Sequence, residues 1–208
     1  KEYRIQIELP WMDGKNKLLW ARLSTVYATN ASGNFFLPEP DDEVVVGFMN
    51  EDPGHPIILG GVYGERHKPP YEYEAKNSTN AIVTGEKMRV DLNEEKKMVK
   101  ISTPGKNTVE ISDDDKHIKL TDQNKNEIVM NSSGISFSSA KDITLKAKGA
   151  ITMDATSKFS ATAKQDVSLE GLNVNMQAKV SAAVKGNAKA ELSASGQTTV
   201  KGGMVMIN

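Results

Sequence analysis

Cysteine is absent from the 208-residue chain, and neither basic nor acidic residues are in clear excess. Without cysteine there can be no disulfide, no thiolate zinc site and no cysteine nucleophile. The net charge is −1, from 26 basic and 27 acidic residues, which argues against a basic nucleic-acid binder. No apolar run approaches the roughly 20 residues that span a bilayer, and no signal-peptide pattern opens the chain.

Proline and aromatic residues are scarce in the second half. All 8 prolines lie at or before Pro104, and 10 of the 12 aromatic residues lie at or before Tyr73. Beyond residue 138 the chain is mostly Ala, Ser, Thr, Lys and Gly. Because a conventional core needs bulky side chains, we expect two modules of different construction, with the transition between Pro69 and Thr108.

The first module shows the alternation of short β-strands. Segments 3–9, 18–27, 43–48 and 57–59 are rich in β-branched or aromatic residues, and turn signals at 12–16, 30–34 and 50–54 separate them. Such a series predicts an all-β fold, a five-stranded OB-fold barrel over residues 1–73. Because residues 39–52 carry six acidic side chains and no lysine or arginine, we do not expect this barrel to bind nucleic acid.

An eight-residue repeat occupies the second module. From residue 135 an apolar-x-apolar pair recurs every eight residues, with one interval of seven before Val174. The position four after the start of each pair is always small, and we call these the corner residues: Ala147, Ala155, Ala163, Gly171, Ala178, Gly186, Ala194 and Gly202. Residues i and i+2 share polarity here, which suits a strand and not a helix. Each octad is therefore predicted to be a short strand followed by a tight corner.

One copy of the repeat offers too little apolar surface to form a core and would expose unpaired strand edges. We therefore predict that residues 135–208 form a needle, an intertwined triple-stranded β-helix of a homotrimer about 50 Å long, at one strand spacing per octad. A single-chain β-helix remains the alternative. The predicted trimer core consists of Ile135, Phe137, Ile143, Leu145, Ile151, Met153, Phe159, Val167, Leu169, Val174, Met176, Val184, Leu192 and Val200.

The segment between the two modules has similar pairs at less regular spacing. These are Val99/Ile101, Val109/Ile111, Ile118/Leu120 and Ile128/Met130, separated by acidic and amide-rich turns. Residues 74–134 are therefore predicted to be a linker followed by an irregular β neck.

Candidate reactive groups are few and scattered. His55, His67 and His117 are far apart in sequence, and the loop that begins at Asp122 lacks the glycine and glutamate of a calcium loop. Residues 74–108 are too few for a hydrolase domain with a carboxylate pair. We therefore expect no catalytic residue, no cofactor, no metal and no enzymatic activity.

The stretch from Gly33 to Tyr63, GNFFLPEPDDEVVVGFMNEDPGHPIILGGVY, resembles the OB-fold core of VgrG spike proteins and phage baseplate tail spikes. The resemblance lies in a Phe-x-Pro element, then Glu-Val-Val-Val, a Phe, and Asp-Pro-x-x-Pro-Ile-Ile-x-Gly-x-Val-Tyr. Trp20 to Leu23 match the preceding strand, and the octads are similar to the needle repeats of the same family. Because the chain opens on Lys1 and has no large tube-docking domain, we expect a C-terminal fragment or a short form.

The resemblance implies a structural trimeric spike at the tip of a contractile injection apparatus, of type VI secretion or phage-tail type, that pierces the target envelope and carries a tip protein or effector. It implies a PAAR-type tip protein at the C-terminal end, tube-docking or baseplate proteins at the N-terminal end, and transient contact with the target membrane. It also implies assembly in the bacterial cytoplasm on the apparatus or virion tail, followed by delivery outside the cell or into the target.

The last apolar residues, Met204, Val205, Met206 and Ile207, are predicted either to dock the tip protein or to close the trimer core. The alternative function for the whole chain is a trimeric fibre or adhesin shaft with a receptor- or glycan-binding role. A third is an OB-fold saccharide binder that uses the needle only to trimerise.

Overall fold

The computed structural model describes residues 3–12 and 14–207, which divide into two compact units, Lys1–Leu145 and Lys146–Asn208. Lys1, on which the fragment prediction rests, Asp13 in the first predicted turn and Asn208 at the predicted needle end lie outside the described residues. The all-β prediction is confirmed. The helical segments of the described chain are two short 3-10 turns, Gly14–Lys17 and Met49–Glu51.

The N-terminal part of the first unit is a four-stranded sheet with a short ribbon. The strands are β1 (Arg4–Glu8), β2 (Leu18–Leu23), β3 (Ala28–Thr29), β4 (Ser32–Gly33), β5 (Val44–Phe48) and β6 (Pro56–Gly61). Within the described residues the sheet order is β1-β2-β6-β5, and β3 and β4 pair separately as the ribbon. β2 and β6 run parallel, whereas the other neighbours are antiparallel.

The core of this sheet is small. The buried apolar residues are Ile7 on β1, Leu9 directly after β1, Ala21 on β2 and Ile58 on β6. They are the inward members of alternating strands, as the sequence pattern requires. β2 ends at Leu23, earlier than predicted, and the chain then enters the ribbon.

A seven-stranded antiparallel meander, the neck sheet, forms the rest of the first unit. Its strands are β7 (Thr79–Val83), β8 (Arg89–Asn93), β9 (Met98–Ser102), β10 (Thr108–Ser112), β11 (His117–Thr121), β12 (Glu127–Asn131) and β13 (Gly134–Ser138). Each strand pairs with its neighbours in sequence, so the order across the sheet follows the chain. The first predicted octad pair, Ile135/Phe137, lies on β13 of this sheet.

The neck sheet is regular from β7 to β12, because over these strands every second strand begins at a constant interval. β7, β9 and β11 begin at residues 79, 98 and 117, and β8, β10 and β12 begin at 89, 108 and 127. The first five of the six hairpin turns each place a lysine in the left-handed region, with φ from 45° to 68°: Lys87, Lys97, Lys106, Lys116 and Lys125. The repeating unit is thus a complete hairpin that returns the chain to the same end of the sheet.

The linker before the neck sheet is anchored by Tyr71. Its hydroxyl donates a hydrogen bond to Asp91 Oδ1 at 2.7 Å, and the Arg89 guanidinium lies 4.9 Å from the centre of its ring. Burial and the adjacent Asp91 carboxylate raise the pKa of Tyr71. This contact joins the linker to β8.

The second unit contains no strand and no helix among its described residues, 146–207, which we call the needle segment. None of the backbone turn hydrogen bonds of the described chain lies there either, and every residue of the segment is exposed. Across the part of the chain that the structure describes, no helix is long and apolar enough to cross a membrane.

Candidate assembly interface

One side of the neck sheet, here called the apolar face, is lined by the second and fourth residues of each strand. Because successive side chains of a strand alternate, these two positions share a side of the sheet. Asn80 is the one polar residue among the fourteen. The others are Ile82, Val90, Leu92, Val99, Ile101, Val109, Ile111, Ile118, Leu120, Ile128, Met130, Ile135 and Phe137.

The pairing register stacks these residues into two columns. Val99 is opposite Ile111, which is opposite Ile118 on the next strand. In the second column Ile101 is opposite Val109, which is opposite Leu120. Cross-strand apolar pairs of this kind stabilise a sheet. The second column runs across all seven strands, and the first runs across six because Asn80 occupies its place on β7.

The apolar face is uncovered in a single chain. All of its side chains are at least partly exposed, and Ile135 and Phe137 are the most exposed of the apolar ones, at 65%. A soluble monomer rarely leaves a continuous apolar surface of this extent in contact with water. Ile143, the start of the second octad pair, lines a groove on this face with Ile101, Leu120 and Phe137, so the octads begin where the face ends.

The opposite side of the neck sheet carries a ladder of alternating charges. Its central positions on β8 to β11 are Asp91, Lys100, Glu110 and Lys119, each opposite the next. Lys100 Nζ lies 2.9 Å from Glu110 Oε2, and Lys119 Nζ lies 2.7 Å from Glu127 Oε1. Charged residues paired in this way suit a side that faces water, which leaves the apolar face as the side to be covered.

Ion pairing sets the protonation of this ladder. The hydrogen bond from Lys100 lowers the pKa of Glu110, with a smaller contribution from His117. The hydrogen bond from Arg89 lowers the pKa of Asp91 in the same way. Both carboxylates are therefore charged at neutral pH.

The hairpin of β10 and β11 brings together three groups that sequence reasoning treated as unrelated. One ligand atom from each of Glu110, Asp115 and His117 lies within 4.8 Å of the others. Glu110 Oε1 is 3.0 Å from His117 Nε2, and Ser112 Oγ donates to Asp115 Oδ2 at 3.0 Å. With Lys100 on the other oxygen of Glu110, these carboxylates have partners within the chain. The expectation of no metal stays a prediction.

The other residues considered as metal ligands make local contacts. His55 Nδ1 lies 2.8 Å from Asp52 Oδ2 in the turn before β6, and His67 Nδ1 lies 3.6 Å from Asp42 Oδ1. The Asp122 carboxylate accepts hydrogen bonds from the backbone amides of Asn124 and Asn126, chiefly Asn126, which lower its pKa. It therefore organises the β11–β12 turn.

The structure places the predicted trimer-core residues on the surface of the single chain. All fourteen are between 54% and 85% exposed. The four predicted docking residues are also exposed, from Val205 at 51% to Ile207 at 91%. The needle segment has no backbone pairing within the chain, so its exposed amides and carbonyls are open to water or to another chain.

The total exposed surface also indicates that part of the chain is covered by a partner. The chain exposes 19708 Å². A compact monomer of 22.7 kDa exposes about 9500 Å². The excess of about 10000 Å² is larger than most obligate interfaces and calls for cover along both the neck sheet and the needle segment.

Sequence reasoning missed part of the apolar face. Ile82, Val90 and Leu92 belong to it, although only the pairs from Val99 onward were identified. The signal was present in the sequence. The intervals between successive neck pairs are unequal, but they become constant when every second strand is compared.

Two known protein families match different parts of the chain. Residues 1–63 match the type VI secretion system/phage-baseplate injector OB domain. Residues 98–208, more than half of the chain, match the phage baseplate V C-terminal trimerisation domain. The second match begins at β9 and includes the rest of the neck sheet and the whole needle segment.

Individual relatives are similar over shorter stretches. The type VI secretion system spike protein VgrG1c of Pseudomonas aeruginosa is 33% identical over 90 residues, which is 41% of this chain and 12% of that protein. The actin cross-linking toxin VgrG1 of Vibrio cholerae is 36% identical over 72 residues, 33% of this chain and 7% of the toxin. The type VI secretion system spike protein VgrG3 of Vibrio cholerae is 31% identical over 72 residues, 33% of this chain and 7% of that protein. The matched stretch is thus a small part of each relative.

Proposed function

Because this chain belongs to the family of phage-baseplate and type VI secretion injector spike proteins, we propose that three copies form a structural spike at the tip of a contractile injection apparatus. The observation that carries the proposal is the uncovered apolar surface of the single chain. It runs over the neck sheet and continues through the octads, within the region that matches the trimerisation domain.

In the proposed trimer the three apolar faces pack together around the axis of the neck. Along the needle segment each strand pairs with strands of the other two chains, so that its backbone groups form hydrogen bonds between chains. A spike must carry axial load without bending, and a continuous ladder of hydrogen bonds between chains resists both bending and separation. The role is mechanical, and we propose no reaction for the chain.

The proposed partners follow from the two ends of such a spike. The OB domain adjoins tube-docking or baseplate proteins, and the needle carries a PAAR-type tip protein or an effector. Assembly takes place in the bacterial cytoplasm on the apparatus or tail, and contraction then drives the spike through the target envelope. Contact with the target membrane is brief.

The mass of the full chain in solution tests the trimer. We expect a particle of about three times 22.7 kDa by light scattering, and a band that resists SDS unless the sample is boiled. A monomer at micromolar concentration would overturn the proposal.

Two neighbouring substitutions test which side of the neck sheet is buried. Ile101 lies on the apolar face and is 47% exposed in the single chain, whereas Ser102 lies on the opposite side, across from Arg89. In the trimer Ile101→Asp places three carboxylates near the axis, which we expect to cost about 3 kcal/mol per chain. Ser102→Asp should leave thermal stability unchanged. Equal effects of the two substitutions would show that the apolar face is not an interface.

We also propose that residues 204–207 form the docking platform for the tip protein. Deletion of residues 203–208 should leave the trimer intact and remove binding of the tip protein, measured by co-purification from cells that express both. If the shortened chain retained the tip protein, these residues would serve only to close the core.

A further inference from the structure

The charge of the chain is divided unevenly along its length. Residues 1–138 carry 17 basic and 22 acidic side chains, whereas residues 139–208 carry nine lysines and five acidic side chains. The nearly neutral total therefore hides a net charge of +4 on the needle. After residue 170 the chain has four lysines and one acidic residue, Glu191. Glu191 is itself ion-paired with Lys189, which lowers its pKa.

The lysines occupy particular positions of the repeat. None of them replaces a member of an apolar pair, and all are exposed. Of these nine, Lys189 alone has an ion-pair partner in the part of the chain that the structure describes. Six stand directly beside a corner residue: Lys146, Lys148, Lys164, Lys179, Lys185 and Lys201. In a trimer the corners lie farthest from the axis, so these ammonium groups line the outer edges.

The resulting charge density is high, if three chains assemble as in the proposed function on which this inference rests. In three chains, residues 139–208 carry a net charge of +12 over about 40 Å, at one strand spacing per octad. That length gives about one net positive charge per 3.3 Å. Double-stranded DNA carries one negative charge per roughly 1.7 Å, so the needle reaches about half that density with opposite sign.

We propose that the needle binds the anionic phospholipid headgroups of a bilayer surface through these lysines. Lysines near a membrane attract acidic lipids without a shaped pocket, which suits point charges spread along an edge. A nucleic acid is disfavoured as the partner, because the chain has no arginine after Arg89 and no tryptophan or tyrosine after Tyr73. Arginine forks and stacking aromatics are what usually recognise nucleic acids.

Sedimentation with lipid vesicles tests the proposal on the full-length trimer. We expect the protein to sediment with phosphatidylcholine vesicles that contain about one third phosphatidylglycerol, and not with pure phosphatidylcholine vesicles. Raising the salt from about 50 to about 500 mM should release it, since the interaction is electrostatic.

A matched pair of triple variants assigns the effect to the needle. Lys179→Gln, Lys185→Gln and Lys201→Gln together remove nine charges from the trimer, and we expect vesicle affinity to fall about tenfold or more. The control, Lys87→Gln, Lys106→Gln and Lys125→Gln, removes the same number of charges from exposed turns of the neck sheet and should bind like the unmodified protein.

The outcomes separate this inference from the proposed function. Three results would overturn the lipid inference alone. The trimer could fail to bind anionic vesicles, or it could bind single-stranded DNA as tightly as it binds these vesicles at the same salt concentration. The two triple variants could also lose vesicle affinity equally. A chain that remains monomeric would overturn the proposed function and this inference together.

Discussion

At Gly186 the needle segment has no room for a side chain. A Cβ atom there would overlap the backbone carbonyl oxygen of Lys189 and lie 2.8 Å from its carbonyl carbon. At Gly171, another corner residue, the nearest atom to such a Cβ is the Asn173 carbonyl oxygen at 3.4 Å, an ordinary contact. The two corners are equivalent in the sequence repeat but differ in the space available.

We therefore expect Gly186→Ala to destabilise the protein and Gly171→Ala to have little effect. The first change forces the backbone to move and should cost about 2 kcal/mol per chain. The second restricts the unfolded chain and should be neutral or slightly stabilising. The melting temperature by circular dichroism, at matched protein concentration, measures both. Equal melting temperatures for the two variants would contradict the corner geometry.

Glu110 should make stability depend on pH. Its pKa in the folded protein is below the usual value of 4.5, chiefly because of Lys100. Its contribution is therefore fully present above pH 4.5 and is lost as the pH falls through the lowered pKa. Glu110→Gln should lower stability by about 1 kcal/mol at pH 7, and its deficit relative to the unmodified protein should shrink in acid.

Thermal unfolding of Glu110→Gln at pH 7 and at pH 3 measures this effect. Glu86→Gln, in an exposed turn of the neck sheet, removes the same charge and should change the melting temperature little at either pH. A deficit for Glu110→Gln that is the same at both pH values would mean that the ion pair with Lys100 is not the cause.

Sequence spacing alone defines the small corner residues and the apolar pairs. The burial of the apolar pairs in a trimer stays a prediction. The contact of Glu110 with Lys100 and His117 does not follow from spacing, because it depends on which strand lies beside which and in what register. The overlap at Gly186 depends on local backbone coordinates that no spacing encodes.

At the scale of elements, the two-strand hairpin is the unit of the neck sheet. Removing residues 98–116 deletes one complete unit and joins Lys97 to His117. β8 then faces β11 in the register it had with β9, so Asp91 is opposite Lys119 and Val90 is opposite Leu120. We expect this deletion to retain the trimer by light scattering, with a modest fall in melting temperature.

Removing residues 98–107 is the matched control, since it deletes one strand and one turn. It places Asp91 opposite Glu110 and reverses the direction of every later strand, so the octads leave from the wrong end of the sheet. Like charges in direct opposition are destabilising. We expect this chain to aggregate or remain unfolded. If the two deletions behaved alike, the hairpin would not be the structural unit.

The strands of the neck were predictable in kind but not in arrangement. The four apolar-x-apolar pairs from Val99 to Met130 lie on β9, β10, β11 and β12. The spacing between single strands is unequal, whereas the two-strand hairpin recurs at a constant interval from β7 to β12. β7 was not predicted, because Asn80 stands where the first member of an apolar-x-apolar pair with Ile82 is expected. The β3–β4 ribbon was not predicted either: β3 follows the predicted strand 18–27, and β4 lies within the predicted turn 30–34. Two-residue strands are too short to show an alternating pattern.

At the scale of the whole molecule, the proposed trimer predicts how fast the backbone amides exchange. We expect hydrogen exchange on the native protein to be slow at the octads, for minutes or longer, because in the proposed trimer their amides bond to other chains. In one chain alone residues 146–207 have no regular hydrogen bonds, and their amides would exchange at once. Mass spectrometry of peptides from this segment measures the difference.

Peptides from β5 and β6 are the internal reference for that experiment, because these strands pair within the chain. They should be protected whatever the assembly state. Fast exchange throughout residues 146–207, together with slow exchange in β5 and β6, would contradict the intertwined needle. Slow exchange in both would agree with a needle stabilised between chains.

The neck sheet has a further consequence for how three such chains come together. Octads resemble one another, so a chain displaced by one whole repeat would still match apolar pairs with apolar pairs, and slippage would cost little along the needle. The hairpins of the neck contact only their sequence neighbours, which favours rapid folding before the octads engage. In the proposed trimer, three packed neck sheets hold the three needle segments at one common starting point. From that point the strands of the three chains can pair octad by octad in one direction, with their register already set by the neck.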